Sequence, residues 1–299
     1  MKVILLFIDG LGLGDNSSEA NPYCEANTPF LNHLMGGHKL YREVMPISGG
    51  QLTIKGIDAA LGVEGIPQSA TGQAAIWTGV NAPAELGYHL NGLPNAKLKR
   101  IISRDNIYLK LQGYGKAVTF ANAYRPAFFT HGSGHISVST HAAQAAGLKL
   151  RTMNDLKCGN AVYQDITNQL LCNYGYVEPL VSPTAAGRNL VRISQGFDFT
   201  VFEYFQTDIA GHKDDWNRVQ EIWQTLDEFI AAVVNGIDLD STLVILTSDH
   251  GNIEDFTIKG HTRNMVPLIG IGRNHELLLG IKDISGIASE IEKIIREDD

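Results

Sequence analysis

The sequence has few cysteines, no long apolar run and no excess of positive charge. Cys24, Cys158 and Cys172 are its three cysteines, odd in number and without a CxxC pair. That argues against a disulfide scaffold or a zinc ribbon and fits a reducing compartment. No apolar run approaches the roughly 18 residues of a membrane span. The first run, Val3 to Ile8, is six residues long and ends in Asp9-Gly10. A secretory signal has an apolar core of about 7–15 residues ending in small residues. The run therefore reads as a buried strand, and the expected location is the cytoplasm. With 24 Lys+Arg against 32 Asp+Glu, the formal net charge is −8. This argues against broad binding of nucleic acid or an anionic membrane, which usually needs a basic face. It does not exclude an anionic substrate, because bound metal ions can reverse the local charge. Internal repeats and low-complexity tracts are also missing. What remains is an ordinary globular balance, 44% apolar and 19% charged over 299 residues, enough for a sizeable core.

Five short apolar runs read as strands buried on both faces: Val3–Ile8, Ala117–Phe120, Phe199–Phe205, Leu243–Leu246 and Val266–Ile271. Continuous rather than alternating runs suit a parallel sheet covered by helices. Helical patterns lie between them. Trp216, Val219, Ile222, Trp223, Leu226, Phe229, Ile230 and Val233 recur at steps of three and four, one face of a long helix stopped by Asn235-Gly236. Residues Lys97–Gly113 read as a helix, and Ile284–Glu297 as a closing helix. The expected fold is α/β, a mostly parallel sheet sandwiched by helices. The stretch 124–183 is rich in Gly, His, Ser, Thr and Asn and lacks long strand candidates. It reads as a small inserted cap, with short helices at Thr140–Gly147 and Gly159–Cys172, in a core formed by 1–123 and 184–299.

In an open parallel sheet, ligands bind beyond the carboxyl ends of the strands. Val3–Ile8 ends in Asp9. Phe199–Phe205 is followed by Asp208 and His212, and Leu243–Leu246 runs into Asp249-His250. Gly260-His261-Thr262 lies just before Val266–Ile271. Three Asp and three His thus gather at one sheet edge if the strands are parallel, a ligand set for zinc, manganese or iron. A second constellation runs from Gly65 to Gly79. Pro67 breaks what precedes it, and small residues lead into a helix from about Ala70 to Thr78. Ser69 would cap that helix, where unpaired N–H groups and the macrodipole favour anions. Its hydroxyl is a candidate nucleophile, with Thr71 the competing hydroxyl.

The order Asp9, Ser69, Asp208-x-x-x-His212, Asp249-His250, His261 resembles the alkaline phosphatase superfamily of two-metal enzymes. It is most similar to the branch of cofactor-independent phosphoglycerate mutases and phosphopentomutases. Phe7-Ile8-Asp9-Gly10, Gly211-His212, Ser248-Asp249-His250-Gly251-Asn252 and His261-Thr262-Arg263-Asn264-Met265-Val266-Pro267-Leu268 carry the likeness. The nucleophile of that superfamily stands nine residues before the Thr of a Thr-Gly pair, and nine before Thr78 is Ser69. The large inserted domain of the mutases has only the 124–183 stretch as its counterpart. Gln68-Ser69-Ala70 departs from their Asn-Ser-Glu, and Ser69-Ala70-Thr71-Gly72-Gln73 does not match a sulfatase signature.

The resemblance implies an alkaline phosphatase-like core with two divalent metal ions, manganese or zinc, with magnesium a third option. Asp208, His212 and His261 would hold one ion; Asp9, Asp249, His250 and the Ser69 hydroxyl the other. It further implies a phosphoserine intermediate at Ser69 and a small phosphorylated substrate. The expected activity is phosphate-ester hydrolysis or phosphotransfer. The alternatives are a phosphoglycerate- or phosphopentose-type mutase with a reduced cap, and a metal-stabilised binding protein without turnover. Neither nucleic acid nor membrane is an expected partner. Arg125, just after the Ala117–Phe120 run, is a candidate phosphate clamp because guanidinium pairs with phosphate bidentately, and Thr71 could help orient the phosphate. Glu203 stands where some alkaline phosphatases place a magnesium ligand. His131, His135 and His141 crowd the cap and read as a solvated loop.

Overall fold

The computed structural model describes residues 1–44, 46–130, 136–176 and 179–297. Its strands are β1 (Lys2–Ile8), β2 (Ile47–Gly49), β3 (Leu52–Ile57), β4 (Val118–Phe120), β5 (Ala123–Tyr124), β6 (Arg151–Thr152), β7 (Phe199–Tyr204), β8 (Thr242–Thr247) and β9 (Val266–Gly272). Helices α1 (Pro29–Leu34), α2 (Ser69–Thr78), α3 (Ala82–Leu86), α4 (Ala96–Arg104), α5 (Ile107–Gly113), α6 (Pro126–Thr130) and α7 (Val138–Ala145) belong to the first half. They are followed by α8 (Met153–Lys157), α9 (Gln169–Asn173), α10 (Pro183–Ser194), α11 (Gln206–Gly211), α12 (Trp216–Asn235) and α13 (Gly286–Arg296).

Seven strands form one sheet in the order β2-β3-β9-β8-β1-β7-β4. β4, β7, β1 and β8 run parallel, whereas β9 enters antiparallel to β8 and β3. The sheet is therefore mixed. Its parallel centre agrees with the continuous apolar runs, which need cover on both faces. β1 shows the layering by its two-residue period. Val3, Leu5 and Phe7 enter the apolar cluster shared with α2, α4, α5, α7 and α13. Ile4, Leu6 and Ile8 enter the cluster shared with α10 and α12.

Three readings need correction. The helix expected over Lys97–Gly113 is two helices, because Asn106 caps a new start by accepting from the N–H groups of Tyr108 and Leu109; Asn and Asp favour such caps over helix interiors. The hairpin β2–β3 was not anticipated; two of the three residues of β2 are exposed, so no buried run marks it. Within 124–183, Val138, Ala142 and Ala143 of α7 join the sheet's own cluster. A small cluster of Ala123, Ala161, Tyr163 and Leu171 forms beside it, and the expected Gly159–Cys172 helix is only α9.

Candidate metal centre

Four segments deliver polar side chains to one edge of the sheet. β1 ends in Ile8 and hands over to Asp9, and β8 hands over to Ser248-Asp249-His250. β7 passes into α11, which carries Asp208 and ends at His212. His261 precedes β9 and reaches the same edge because β9 runs antiparallel to β8. A parallel β9 would have put it at the opposite edge. α2 begins at Ser69, one residue earlier than expected, so Gln68 is the cap and Ser69 the first helical residue.

Asp208, His212 and His261 each offer an atom within 4.8 Å of the others. His212 Nε2 lies 3.4 Å from Asp208 Oδ2, and His261 Nε2 lies 3.5 Å from Asp208 Oδ1 and 3.2 Å from His212 Nε2. A second group with the same mutual closeness is Asp9, Asp208 and His250. Asp249 lies beside that group, its Oδ2 3.6 Å from His250 Nε2. His250 Nε2 is also 3.3 Å from Asp9 Oδ1 and 2.9 Å from Ser69 Oγ. Asp208 thus stands between both groups, whereas the sequence assigned it to one.

The imidazoles are oriented as metal-binding histidines usually are, with the far ring nitrogen tied to a carbonyl. His261 Nδ1 pairs with Pro67 O at 3.1 Å and His250 Nδ1 with Gly251 O at 3.3 Å. Donation from each Nδ1–H leaves Nε2 of the neutral ring as a lone pair that a metal ion could take; in a protonated ring His261 Nε2 would instead donate to Asp208. Close approach is built into the backbone. A Cβ on Gly72, inside α2, would lie 2.7 Å from Asp249 O, and one on Gly10 (φ +71°) 2.8 Å from Asp208 Cβ.

Electrostatics decide what the centre accepts. Burial, then the charges of Asp249, Asp208 and Glu203, push Asp9 well above the usual carboxylate range. Burial raises Asp249 too, against the pull of His250. Burial would raise Asp208, but hydrogen bonds from His261 and Asn252 and the charge of His250 hold it down, to about 2. Burial lowers His250. His261 is raised overall, because its hydrogen bond and charge pairing with Asp208 outweigh burial. Among the described residues, Asp9 Oδ1 and Asp249 Oδ2 are buried yet accept no hydrogen bond. Such oxygens are costly unless a cation lies among them. Unpaired carboxylate oxygens facing imidazole lone pairs fit divalent ions that take mixed N and O ligands.

Two candidates lie elsewhere. Thr71 is fully buried, its hydroxyl donating to Gln68 O at 3.2 Å and accepting from Leu90 N at 3.2 Å. It serves the backbone and is not among the clustered side chains. The Arg125 guanidinium stacks 3.9 Å above the Tyr174 ring, within the 124–183 stretch. His141 faces α4, with Nε2 3.0 Å from Ser103 Oγ; His131 and His135 lie outside the described residues. Glu203, on β7, is buried beside the cluster. Its Oε2 accepts from Ser139 Oγ and its Oε1 accepts nothing. Burial pushes it up to about 8.

Sequence reading missed several supports. Gln73 donates to Asp9 Oδ2 at 3.3 Å, and Thr207 donates to Asp9 O. Ser248 accepts from Leu11 N and donates to His250 O, each at 2.9 Å. Ser248 and Gln73 stood in quoted segments but were given no role; nothing local distinguishes Gln73 or Thr207 from ordinary helix residues.

Comparison with known proteins sets this geometry in a family. The model of the metalloenzyme superfamily matches residues 1–289. The chain belongs to that superfamily. Divalent metal binding follows as its shared property. Among curated relatives, a 2,3-bisphosphoglycerate-independent phosphoglycerate mutase of Pyrococcus abyssi is 30% identical over 88 residues, 29% of this chain and 21% of the mutase. A mutase of the same description from a Shewanella species is 28% identical over 130 residues, 40% of this chain and 25% of the mutase. The matches thus span about a quarter of the length of those relatives or less. Among solved structures, the cold-active alkaline phosphatase of a psychrophilic Shewanella superposes with a TM-score of 0.59 at 12% identity, covering 99% of this chain and 100% of that one. A Pyrococcus horikoshii protein gives 0.60 at 16% identity, covering 100% and 97%. The chain thus shares the fold of an alkaline phosphatase. Among the described residues no helix is long and apolar enough to cross a membrane.

Proposed function

We propose that this chain is a two-metal phosphate-ester hydrolase or phosphotransferase of a small phosphorylated metabolite, acting through phosphoserine at Ser69. The observation that carries this reading is Ser69 Oγ, 2.9 Å from His250 Nε2, beside two buried carboxylate oxygens without hydrogen-bond donors. Asp208, His212 and His261 would hold one divalent ion, and Asp9, Asp249, His250 and Ser69 the other, with Asp208 near both. When bound, such ions neutralise phosphate charge and ease loss of the serine proton.

The chain's own groups do the rest. Ser69 Oγ attacks phosphorus in line with the ester oxygen. The P–O bond to the alcohol breaks, its electron pair leaves on the alcohol oxygen, and that oxygen takes up the proton that Ser69 Oγ gave up. Thr71 N already donates to Leu90 O at 3.3 Å and Gly72 N to Gln68 O at 2.8 Å, so the Ser69 and Ala70 N–H groups at the start of α2 are the ones that would face the phosphoryl oxygens. In the second half, water or a substrate hydroxyl attacks the phosphoserine, the P–O bond to Ser69 breaks, and the proton the attacking oxygen loses restores the Ser69 hydroxyl. Water makes a phosphatase; a hydroxyl of the same substrate makes a mutase. The curated relatives, named as phosphoglycerate mutases, favour that second reading. Arg125 is proposed as a phosphate contact from the 124–183 stretch.

Acid quenching with a panel of phosphorylated metabolites, followed by peptide mapping, tests the reading. The expected result is phosphate on Ser69, with free phosphate as product; an isomerised phosphate supports the mutase instead. Elemental analysis should find two divalent ions per chain. Protein that holds no manganese, zinc or magnesium after each is offered would refute it.

A further inference from the structure

We infer that Glu254 is a positioning residue for both metal positions, joining the loops that carry the ligands through one buried carboxylate; this rests on the two-metal reading above. Glu254 is 2% exposed and touches none of the candidate ligands' metal-facing atoms in any hydrogen bond. Its Oε2 accepts from Gly12 N at 3.1 Å, in the loop that follows Asp9, and from Asn252 N at 2.7 Å, in the loop that follows His250. Its Oε1 accepts from the hydroxyl of Thr262, next to His261, and from Asn264 Nδ2 at 2.9 Å. Three ligand-bearing loops therefore converge on one side chain. The fourth joins through Asn252, whose Nδ2 donates to Asp208 Oδ1 at 2.7 Å and to Asp208 O at 3.2 Å.

Four donors with four acceptor lone pairs make a closed set, which only an ionised carboxylate of this length supplies. The amide of glutamine would turn an NH2 group toward two of the donors. Aspartate keeps the charge but is one methylene too short to reach all four. The fit is tight: a Cβ on Gly251 would lie 2.3 Å from Glu254 Oε1 and 2.2 Å from Thr262 Oγ1. The carboxylate thus fixes the separation between Asp9, His250 and His261. Supports of this kind typically change metal affinity 10–100-fold when removed.

The test is manganese binding by calorimetry and the visible spectrum of the cobalt-loaded protein, with thermal unfolding of the chelated protein alongside. Glu254→Gln should weaken manganese binding at least tenfold and alter the cobalt bands. Because that variant also pits buried donors against each other, Thr262→Val is the milder probe; it removes one donor from Oε1 and leaves every proposed ligand in place. We expect about tenfold weaker binding in Thr262→Val, with the melting temperature of the chelated form little changed, and recovery in Thr262→Ser. Folded Glu254→Gln or Thr262→Val with wild-type affinity and wild-type cobalt bands would overturn the positioning role alone. Wild-type protein that binds no manganese or cobalt would overturn the two-metal reading together with it.

Discussion

Asp227 and Asp9 are both buried carboxylates, and their surroundings could hardly be handled more differently. Asp227, on α12, accepts from Phe30 N at 3.0 Å and Leu31 N at 2.8 Å, so both oxygens serve the start of α1. Asp9 has one oxygen with no donor, and three other carboxylates press its proton affinity upward. Asp227 joins two helices and is satisfied by the fold. Asp9, with Asp249, is left for something the polypeptide does not contain. A buried charge left unpaired is expensive, so this contrast separates a structural carboxylate from a ligand more sharply than burial does.

The largest effect should come from Ser69→Ala. Turnover should fall roughly a thousandfold or more and the acid-stable phosphoenzyme should vanish, while elemental analysis still finds metal. Phosphate mapped to any other residue would break the assignment.

Asp9→Asn and Asp227→Asn test the comparison directly. The first should lose about one ion per chain, and its chelated form should melt no lower than the wild type. The second should keep its metal and lose about 1–3 kcal/mol of stability through an unmet donor at α1. A reversal of these outcomes, read by elemental analysis and denaturant unfolding, would mean that the unpaired oxygens are structural.

The pH dependence follows from the raised carboxylates. Glu203 holds its proton to about pH 8 in the fold, against an ordinary value of 4.5. Between those values the folded state binds more protons than the unfolded chain, so stability falls as pH rises. The cost is absent below about pH 4.5 and complete above about pH 8. Chelated protein should therefore melt at progressively lower temperature across that window, and Glu203→Gln should flatten the slope. A melting temperature that rises over the same range in the chelated wild type would contradict the crowding described here.

The smallest effect belongs to Thr71→Ala. Its hydroxyl serves Gln68 O and Leu90 N, so stability should drop by about 1 kcal/mol with turnover nearly unchanged. A loss of activity approaching that of Ser69→Ala would place the hydroxyl in the chemistry after all.

Much of the centre was legible because apolar runs ended abruptly in Asp or His. Residues such as Asp9 and Asp249 follow runs that must be buried, so chain order alone put them at a sheet edge. Thr71 and Ser69 were harder to separate. Both stand in the first turn of α2, and only the packing of Leu90 against that turn shows which hydroxyl is taken. Gln73, Thr207 and Glu254 left no local signal, because their roles depend on partners distant in the chain.

Hydrophobic patterning by itself determined the α/β architecture, the burial of β1, β7, β8 and β9, and the polar residues waiting at their ends. These are local consequences of which side chains leave water. The direction of β9 was decided only by tertiary structure, and with it the arrival of His261 beside Asp208. So were the place of Asp208 between both ligand groups and the closure of three loops on Glu254. Strand direction and loop closure are set by pairing between segments far apart in the chain, and a strand's own apolar pattern is the same whichever way it runs.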